Sequence, residues 1–259
     1  MPKLSIITVN YNNGDGLQRT MDSVFNQTFK DFEYIIIDGG SSDGSKALIE
    51  KNAGTLAYWV SEKDNGIYSA MNTGIAQAKG EYLLFINSGD ELINNSILAE
   101  VAPELSAEDI IYGNVLFVKP DKTTYRGGFP GKLSFDFFAE YTLAHPATFI
   151  RTEVMNRMGR YDDTFKICAD WKFFMDAVFK ENVAYKSLDK TIARFYLDGI
   201  SSQDAYAGII REERTSVLQK EYPAFLEMYL ELQELRRLKN NWLVRFSIKA
   251  GLIKTPRRL

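Results

Sequence analysis

Tyr34-Ile35-Ile36-Ile37-Asp38-Gly39-Gly40-Ser41-Ser42-Asp43-Gly44 is the stretch that decides the fold. The apolar run over residues 34–37 has the length of a buried strand. The turn-rich segment that stops it carries Asp and Ser residues able to cap a following helix. The same strand-then-helix unit recurs on either side. Upstream, residues 4–9 form a compact apolar run, after which Leu17, Met21, Val24 and Phe25 recur at helical spacing. Downstream, residues 57–60 predict a third strand, 67–78 a helix stopped at Lys79-Gly80, and 81–86 a fourth strand ending in Asn87-Ser88-Gly89-Asp90. Alternating β and α units predict an α/β fold with a mainly parallel central sheet flanked by helices. Ligands of such sheets bind outside the carboxyl ends of the strands. Three of those ends carry polar loops here: Asn10-Tyr11-Asn12-Asn13, residues 38–43 and residues 87–90.

The second half is less regular. Strands are expected over 110–118, 147–151 and 184–196, with a Gly- and Pro-rich loop through Gly127, Gly128, Pro130 and Gly131. A helix is expected over 169–179, with Asp170 in its first turn. From Asp204 the pattern is helical, broken near Pro223. The expected organisation is one domain over 1–202 and a helical C-terminal extension over 203–259.

Of the 259 residues 45% are hydrophobic and 25% charged, which excludes collagen-like, coiled-coil and wholly disordered chains. No apolar run approaches the ~18 residues of a membrane span. Met1-Pro2-Lys3 leads straight into the first strand, so no signal peptide is expected. A lone cysteine, Cys168, excludes an intrachain disulfide and fits a reducing cytoplasm. The net charge of −3 averages two unlike regions. Eight of the 31 basic residues fall between 236 and 259, where there is no acidic one, leaving 23 against 34 acidic residues in the remainder. That acidic body disfavours nucleic acid as a partner. In the tail, Trp242, Leu243, Val244, Phe246 and Ile248 interleave with Arg245 and Lys249. The pattern suits either an interfacial helix on an anionic membrane or packing on the body. Upstream, Leu226, Leu230, Leu235 and Leu238 suggest an apolar helix face that packs on the domain or on a second copy.

Several positions are candidates for chemistry, each with a plainer alternative. Asp90, past the fourth strand, is placed to hold a divalent cation beside phosphates; Asn, Ser, Gly and Asp are also ordinary turn residues. Tyr11 offers a ring to a nucleotide base, or packs on the rim. Asp38 offers an acceptor to a base or ribose, or caps a turn. Asp170, between Ala169 and Trp171, suits a general base or an N-terminal helix carboxylate. His145, the only histidine, is a candidate third metal or phosphate contact, or a structural side chain. Cys168 reads as a buried inert thiol.

Taken in order, Ser5-Ile6-Ile7-Thr8-Val9-Asn10-Tyr11-Asn12, Gln27-Thr28-Phe29-Lys30-Asp31-Phe32-Glu33, Ile37-Asp38-Gly39-Gly40-Ser41-Ser42-Asp43-Gly44, Asp64-Asn65-Gly66-Ile67-Tyr68-Ser69-Ala70-Met71-Asn72-Thr73-Gly74 and Gly80-Glu81-Tyr82-Leu83-Leu84-Phe85-Ile86-Asn87 resemble the inverting family-2 glycosyltransferases. The likeness resumes at residues 145–151 and at Cys168-Ala169-Asp170-Trp171, and spans roughly residues 3–202. It implies the Rossmann-like GT-A fold and transfer of a sugar from a nucleoside-diphosphate sugar, UDP above all. It also implies that Thr8 and Tyr11 contact the nucleotide, that Asp38 lies in the loop recognising base and ribose, and that Asp64 and Asn72 line the donor site. Asn10, Asn87 and Ser88 join them in the strand-end loops. Asp90 matches the last carboxylate of a DxD-type motif holding Mn2+ or Mg2+, completed by Asn87 or His145. Asp170 matches the catalytic base, and residues 199–202 a loop closing near the diphosphate.

Two departures stand out. Gly39 replaces a second carboxylate often found after the second strand, and residues 87–90 retain one acid where DxD motifs have two or three. The implied acceptor is a saccharide or lipid-linked saccharide in bacterial polysaccharide assembly, at the inner face of the cytoplasmic membrane. Two rivals stay open, a non-catalytic nucleotide-sugar-binding protein and a sugar-nucleotide pyrophosphorylase. The latter wants a basic Gly-rich loop after strand one, and residues 10–16 hold no Lys or Arg. A Rossmann oxidoreductase lacks its glycine fingerprint here.

Overall fold

The computed structural model describes residues 1–197 and 204–242. The expected closing loop at 199–202 and the tail residues Leu243, Val244, Arg245, Phe246, Ile248, Lys249, Lys254, Arg257 and Arg258 lie outside them. The first half runs β1 (Leu4–Asn10), α1 (Gly14–Phe25), β2 (Phe32–Asp38), α2 (Ser45–Asn52), β3 (Tyr58–Ser61), α3 (Ile67–Gln77) and β4 (Tyr82–Phe85). The second half adds β5 (Glu91–Leu92), α4 (Ile97–Val101), β6 (Ile110–Val118), β7 (Thr124–Gly127), α5 (Phe135–Glu140), β8 (Thr148–Arg151), α6 (Thr152–Met158), α7 (Ala169–Phe179), β9 (Tyr185–Tyr196), α8 (Ala207–Glu221) and α9 (Pro223–Asn240).

The strands form one sheet in the order β3-β2-β1-β4-β8-β6-β9-β5, with β7 also on β6. The four strands of the first half are parallel, as their connecting helices require. The expectation of a mainly parallel sheet holds for that half, while the whole sheet is mixed. β8 runs antiparallel to both β4 and β6, β9 is parallel to β6, and β5 and β7 are antiparallel additions. β7 occupies part of the expected Gly/Pro loop; four exposed or half-exposed residues carry no apolar signal.

Side chains of β1 alternate between the faces. Leu4 and Ile6 pack with Leu17, Met21 and Val24 of α1, whereas Ile7 and Val9 pack with Met71 and Ile75 of α3 and with α7. Gly74 permits this second layer, because a Cβ there would stand 2.6 Å from Ile7 Cγ2. The alternation leaves the strand ends as the open, polar edge. Among the described residues, no helix is long and apolar enough to cross a membrane.

α8 belongs to the core, through Val217, Leu218 and the following Tyr222. α9 lies across α5, with Phe225 stacked on Phe135 and Arg236 paired with Asp136 at 2.5 Å. Of the apolar face expected on this helix, Leu226 packs against the core, but Leu230, Leu235 and Leu238 are exposed.

Candidate active site

Backbone and amide contacts bind the three strand-end loops into one unit. The Gly39 N–H donates to the Asn10 carbonyl and the Ser88 N–H to the Val9 carbonyl. Asn13 caps α1 by accepting from the Gly16 N–H, while its amide donates to the Ser88 carbonyl at 3.0 Å. Thr20 closes the turn at residues 87–90: its hydroxyl donates to the Asp90 carbonyl at 2.7 Å and accepts from the Gly89 N–H. Gly89 has φ +109°, a left-handed conformation that favours glycine.

Asp38 is fully buried at the end of β2. Its Oδ1 accepts from Asn10 Nδ2 (2.7 Å) and the Ser41 hydroxyl (2.5 Å), and its Oδ2 from the Ser61 hydroxyl (2.6 Å) and the Ser41 N–H (3.0 Å). Burial pushes this carboxyl up, but the donations from Ser41, Ser61 and Asn10 outweigh it and hold the group below its ordinary range. Four donors fill the accepting capacity of a carboxylate. Asp38 therefore orders the 39–44 loop, and no lone pair is left for a base or ribose. Thr8 is likewise internal, with its hydroxyl donating to the Ile86 carbonyl at 2.6 Å beside the Tyr34 hydroxyl.

Tyr11 presents its ring outward at 68% exposure. Gly39 lies against both this ring and Asp64: a Cβ on Gly39 would stand 3.2 Å from Tyr11 Cδ2 and 2.7 Å from Asp64 Oδ2. Asp64 Oδ1 accepts from the Gly66 N–H at 2.9 Å.

Asp170 occupies the first turn of α7, where the helix dipole favours its charge. The Tyr68 hydroxyl, from the first turn of α3, donates to Asp170 Oδ1 at 2.8 Å and also faces the Ile167 carbonyl. Burial, with the Asp170 charge added, pushes the Tyr68 phenol far up, so it stays a donor. His145 Nδ1 stands 3.5 Å from Asp170 Oδ2, and Nε2 is 3.1 Å from the Tyr161 hydroxyl. Burial lowers the His145 pKa, and the Asp170 carboxylate opposes this only in part. A neutral ring protonated on Nδ1 would point that proton at Asp170 and accept from the Tyr161 hydroxyl at Nε2. Asn72 spends both ends of its amide on the Tyr161 backbone, at 2.8 and 3.1 Å. It thus supports the Tyr161–His145 pair from behind. The loop entering α7 is held from α8: Glu213 accepts from the N–H groups of Lys166, Ile167 and Cys168 at 2.6, 3.2 and 3.0 Å. Cys168 itself is inert, its thiol pushed up to about 12 by burial.

The sequence-chosen residues thus fall into three groups along one edge: Asn10 with Asp38, Tyr11 with Asp64, and Asn72 behind His145 and Asp170. Asn87, Ser88 and Asp90 make up the turn beyond β4, and the His145 ring lies 5.6 Å from Phe85 at the end of that strand. The Tyr196 N–H donates to Asp90 Oδ1 at 3.3 Å. Sequence reasoning missed Tyr68, Tyr161, Ser61 and Glu213. Only Tyr68 lay in a stretch already singled out; the other three are brought in by other elements.

Among the described residues, no cluster of three or more His, Cys, Asp or Glu side chains is arranged for a metal ion. Asp90 and Asn87 nevertheless supply hard oxygen donors. Asn87 Oδ1 is buried and accepts no hydrogen bond among the described residues, and so suits a cation that takes its other ligands from water and phosphate oxygens. Both nitrogens of His145 are engaged by Asp170 and Tyr161, so it fits this set poorly.

The sequence profile of glycosyl transferase family 2 matches residues 5–168. An uncharacterized glycosyltransferase of Mycobacterium tuberculosis is 32% identical over 230 residues, 86% of each chain. The PGL/p-HBAD biosynthesis glycosyltransferase of Mycobacterium bovis is 29% identical over 238 residues, 89% of this chain and 86% of that one. Among solved structures, S. aureus TarS 1–349 in complex with UDP-GlcNAc superposes with a TM-score of 0.66 at 20% identity, covering 95% of this chain and 76% of that one.

Proposed function

The chain belongs to glycosyl transferase family 2, and from that premise we propose that it moves a hexosyl or N-acetylhexosaminyl group from a UDP-linked donor to an acceptor hydroxyl with inversion. The observation that carries this reading is the Asp170 carboxylate, held on one oxygen by Tyr68 and faced on the other by His145, whose ring lies beside Phe85 at the end of β4. Asp170 takes the proton from the acceptor hydroxyl as that oxygen attacks the anomeric carbon and the nucleoside diphosphate leaves from the opposite face. Tyr68 and His145 aim the carboxylate, and Tyr11 stacks on the base. Thr8, Asn10, Asp38 and Asn72 hold the walls, while Asn87, Ser88 and Asp90 form the turn under the diphosphate. A UDP-linked donor follows TarS, whose complex holds UDP-GlcNAc.

Asp90 and Asn87 would hold Mn2+ or Mg2+. When bound, such an ion offsets negative charge developing on the leaving diphosphate. We assign His145 to Asp170 rather than to the metal, because its two nitrogens are already engaged.

The catalytic unit is proposed to comprise residues 1–202, the expected domain, together with α8, whose Val217 and Leu218 lie in the core and whose Glu213 holds the loop before Asp170. The remainder of 203–259, from α9 onward, is proposed as the extension that meets the inner face of the cytoplasmic membrane, where a lipid-linked saccharide acceptor is presented. Met228, Leu235 and Leu238 are exposed along α9, and Trp242 just beyond its end, where the basic tail begins.

Asp170→Asn keeps the shape of the side chain and removes the base. Turnover should fall about 10²–10⁴-fold. The dissociation constant for the UDP-sugar, read by calorimetry, should be unchanged. Near-normal turnover removes Asp170 from the role. Donor binding by the native protein without transfer to any of a panel of acceptors favours a non-catalytic binding protein.

A further inference from the structure

The donor site poses a question of its own: which group reads the base? This rests on the nucleotide-sugar reading above. Asp38 is the carboxylate nearest in sequence to the base loop, but its two oxygens already accept four hydrogen bonds from Asn10, Ser41 and Ser61. Withdrawing any of these would leave a buried polar group unpaired and release the loop. Asp38 belongs to the frame.

The neighbouring position, Gly39, has no side chain, and the space above it is filled from elsewhere. The 38–40 segment lies under residues 62–64, with the Glu62 N–H donating to the Asp38 carbonyl at 3.0 Å. A Cβ on Gly40 would stand 3.0 Å from the Lys63 nitrogen. This packing brings Asp64 against Gly39, so that Oδ2 would lie 2.7 Å from a Cβ there, with the exposed Tyr11 ring 3.2 Å from the same point. The Gly66 N–H pins Asp64 Oδ1. Oδ2 accepts no hydrogen bond among the described residues. An aromatic ring for stacking and an open carboxylate oxygen thus meet above one glycine.

We propose that Asp64, admitted by Gly39, is the acceptor that reads the edge of the donor base. A carboxylate accepts and never donates, so it selects a base with a ring N–H on that edge, as in uracil, thymine or guanine. It rejects cytosine and adenine, whose corresponding ring nitrogens are acceptors and would face it lone pair to lone pair. Gly39 and Asp64 form one specificity unit: any side chain at 39 displaces the carboxylate.

Calorimetric titration of UDP, GDP, CDP and ADP against the native protein and Asp64→Asn tests this. The native protein should bind UDP or GDP at least about ten-fold more tightly than CDP and ADP, the scale of one charged hydrogen bond. In Asp64→Asn the Gly66 N–H keeps the amide oxygen inward and turns Nδ2 toward the base. Affinity for the favoured nucleotide should fall about ten-fold and that for CDP should rise. Gly39→Ala should weaken the favoured nucleotide likewise, with the melting temperature unchanged, since Gly39 is not in the left-handed region. A native preference for CDP or ADP, or an unchanged UDP to CDP ratio in Asp64→Asn, overturns the proposal and leaves the donor reading standing. Failure of the native protein to bind any of the four removes the donor reading and the proposal with it.

Discussion

Asp170, Tyr68 and His145 come from three separate stretches of chain, and their chemistry depends on which atom faces which. Tyr68 donates to Oδ1 at 2.8 Å, so Tyr68→Phe should leave the carboxylate in place but loosely aimed. A hydrogen bond to a charged group is worth about 1.5–3 kcal/mol, which sets the expected loss of kcat at roughly ten-fold or more. The KM for donor should stay as it is; an unchanged kcat denies Tyr68 a positioning role. His145 yields a pH prediction with a definite sign. Its folded pKa lies below the unfolded value of about 6.5, so the unfolded chain binds the proton first. Stability should therefore fall as pH drops through about 6.5 and level off below the folded pKa. Because His145 is the only histidine, the urea midpoint between pH 7.5 and 5.5 reports on it cleanly. His145→Gln should flatten that slope, and an equal slope in the variant refutes the assignment. Of this residue-level picture, the sequence makes legible where Asp170, Tyr11 and Asp90 sit, because position after a strand or in a helix's first turn is a local property. It does not show the partners of Asp38, Thr8 and Asn72: beside the local Ser41, these are groups 23 to 89 positions away that fold onto them.

At the scale of elements, the base depends on a helix outside the family match. α7 begins after a loop whose three N–H groups are accepted by Glu213 of α8, and Arg214 of the same helix lies over the Trp171 ring at 5.1 Å. Glu213→Ala leaves those donors without their acceptor, at a cost of about 1–3 kcal/mol to stability. It should also lower kcat while the donor dissociation constant holds, because Asp170 stands only two residues beyond Cys168. Urea denaturation with steady-state kinetics checks both; full kcat in the variant frees the base from α8. The longer elements are legible because apolar periodicity over seven or more residues is hard to mistake, as in β1, α1, β6 and α7. β5, with two residues, and β7, with four, carry too few positions for any period to register. Strand direction in the second half is also unreadable locally, since β8 reverses against β4 only through pairing made across the sheet.

At the scale of the whole molecule, the charge is divided between an acidic body and a basic end. Residues 243–259 contain five Lys or Arg and no acid, each worth about 1 kcal/mol near an anionic surface. The full chain should sediment with vesicles containing phosphatidylglycerol at low salt, and a chain ending at residue 242 should stay in the supernatant. Equal partitioning of the two would end the membrane assignment, whatever α9 exposes. By itself the sequence determined the α/β class, the polar strand-end edge and the family, because periodicity and ordered local motifs are properties of neighbouring residues. Only the tertiary structure decided which of those polar groups are occupied and which stand open. Asp38 is saturated and Asp64 is not, because hydrogen-bond capacity is finite and its use depends on groups that meet only when the chain has folded.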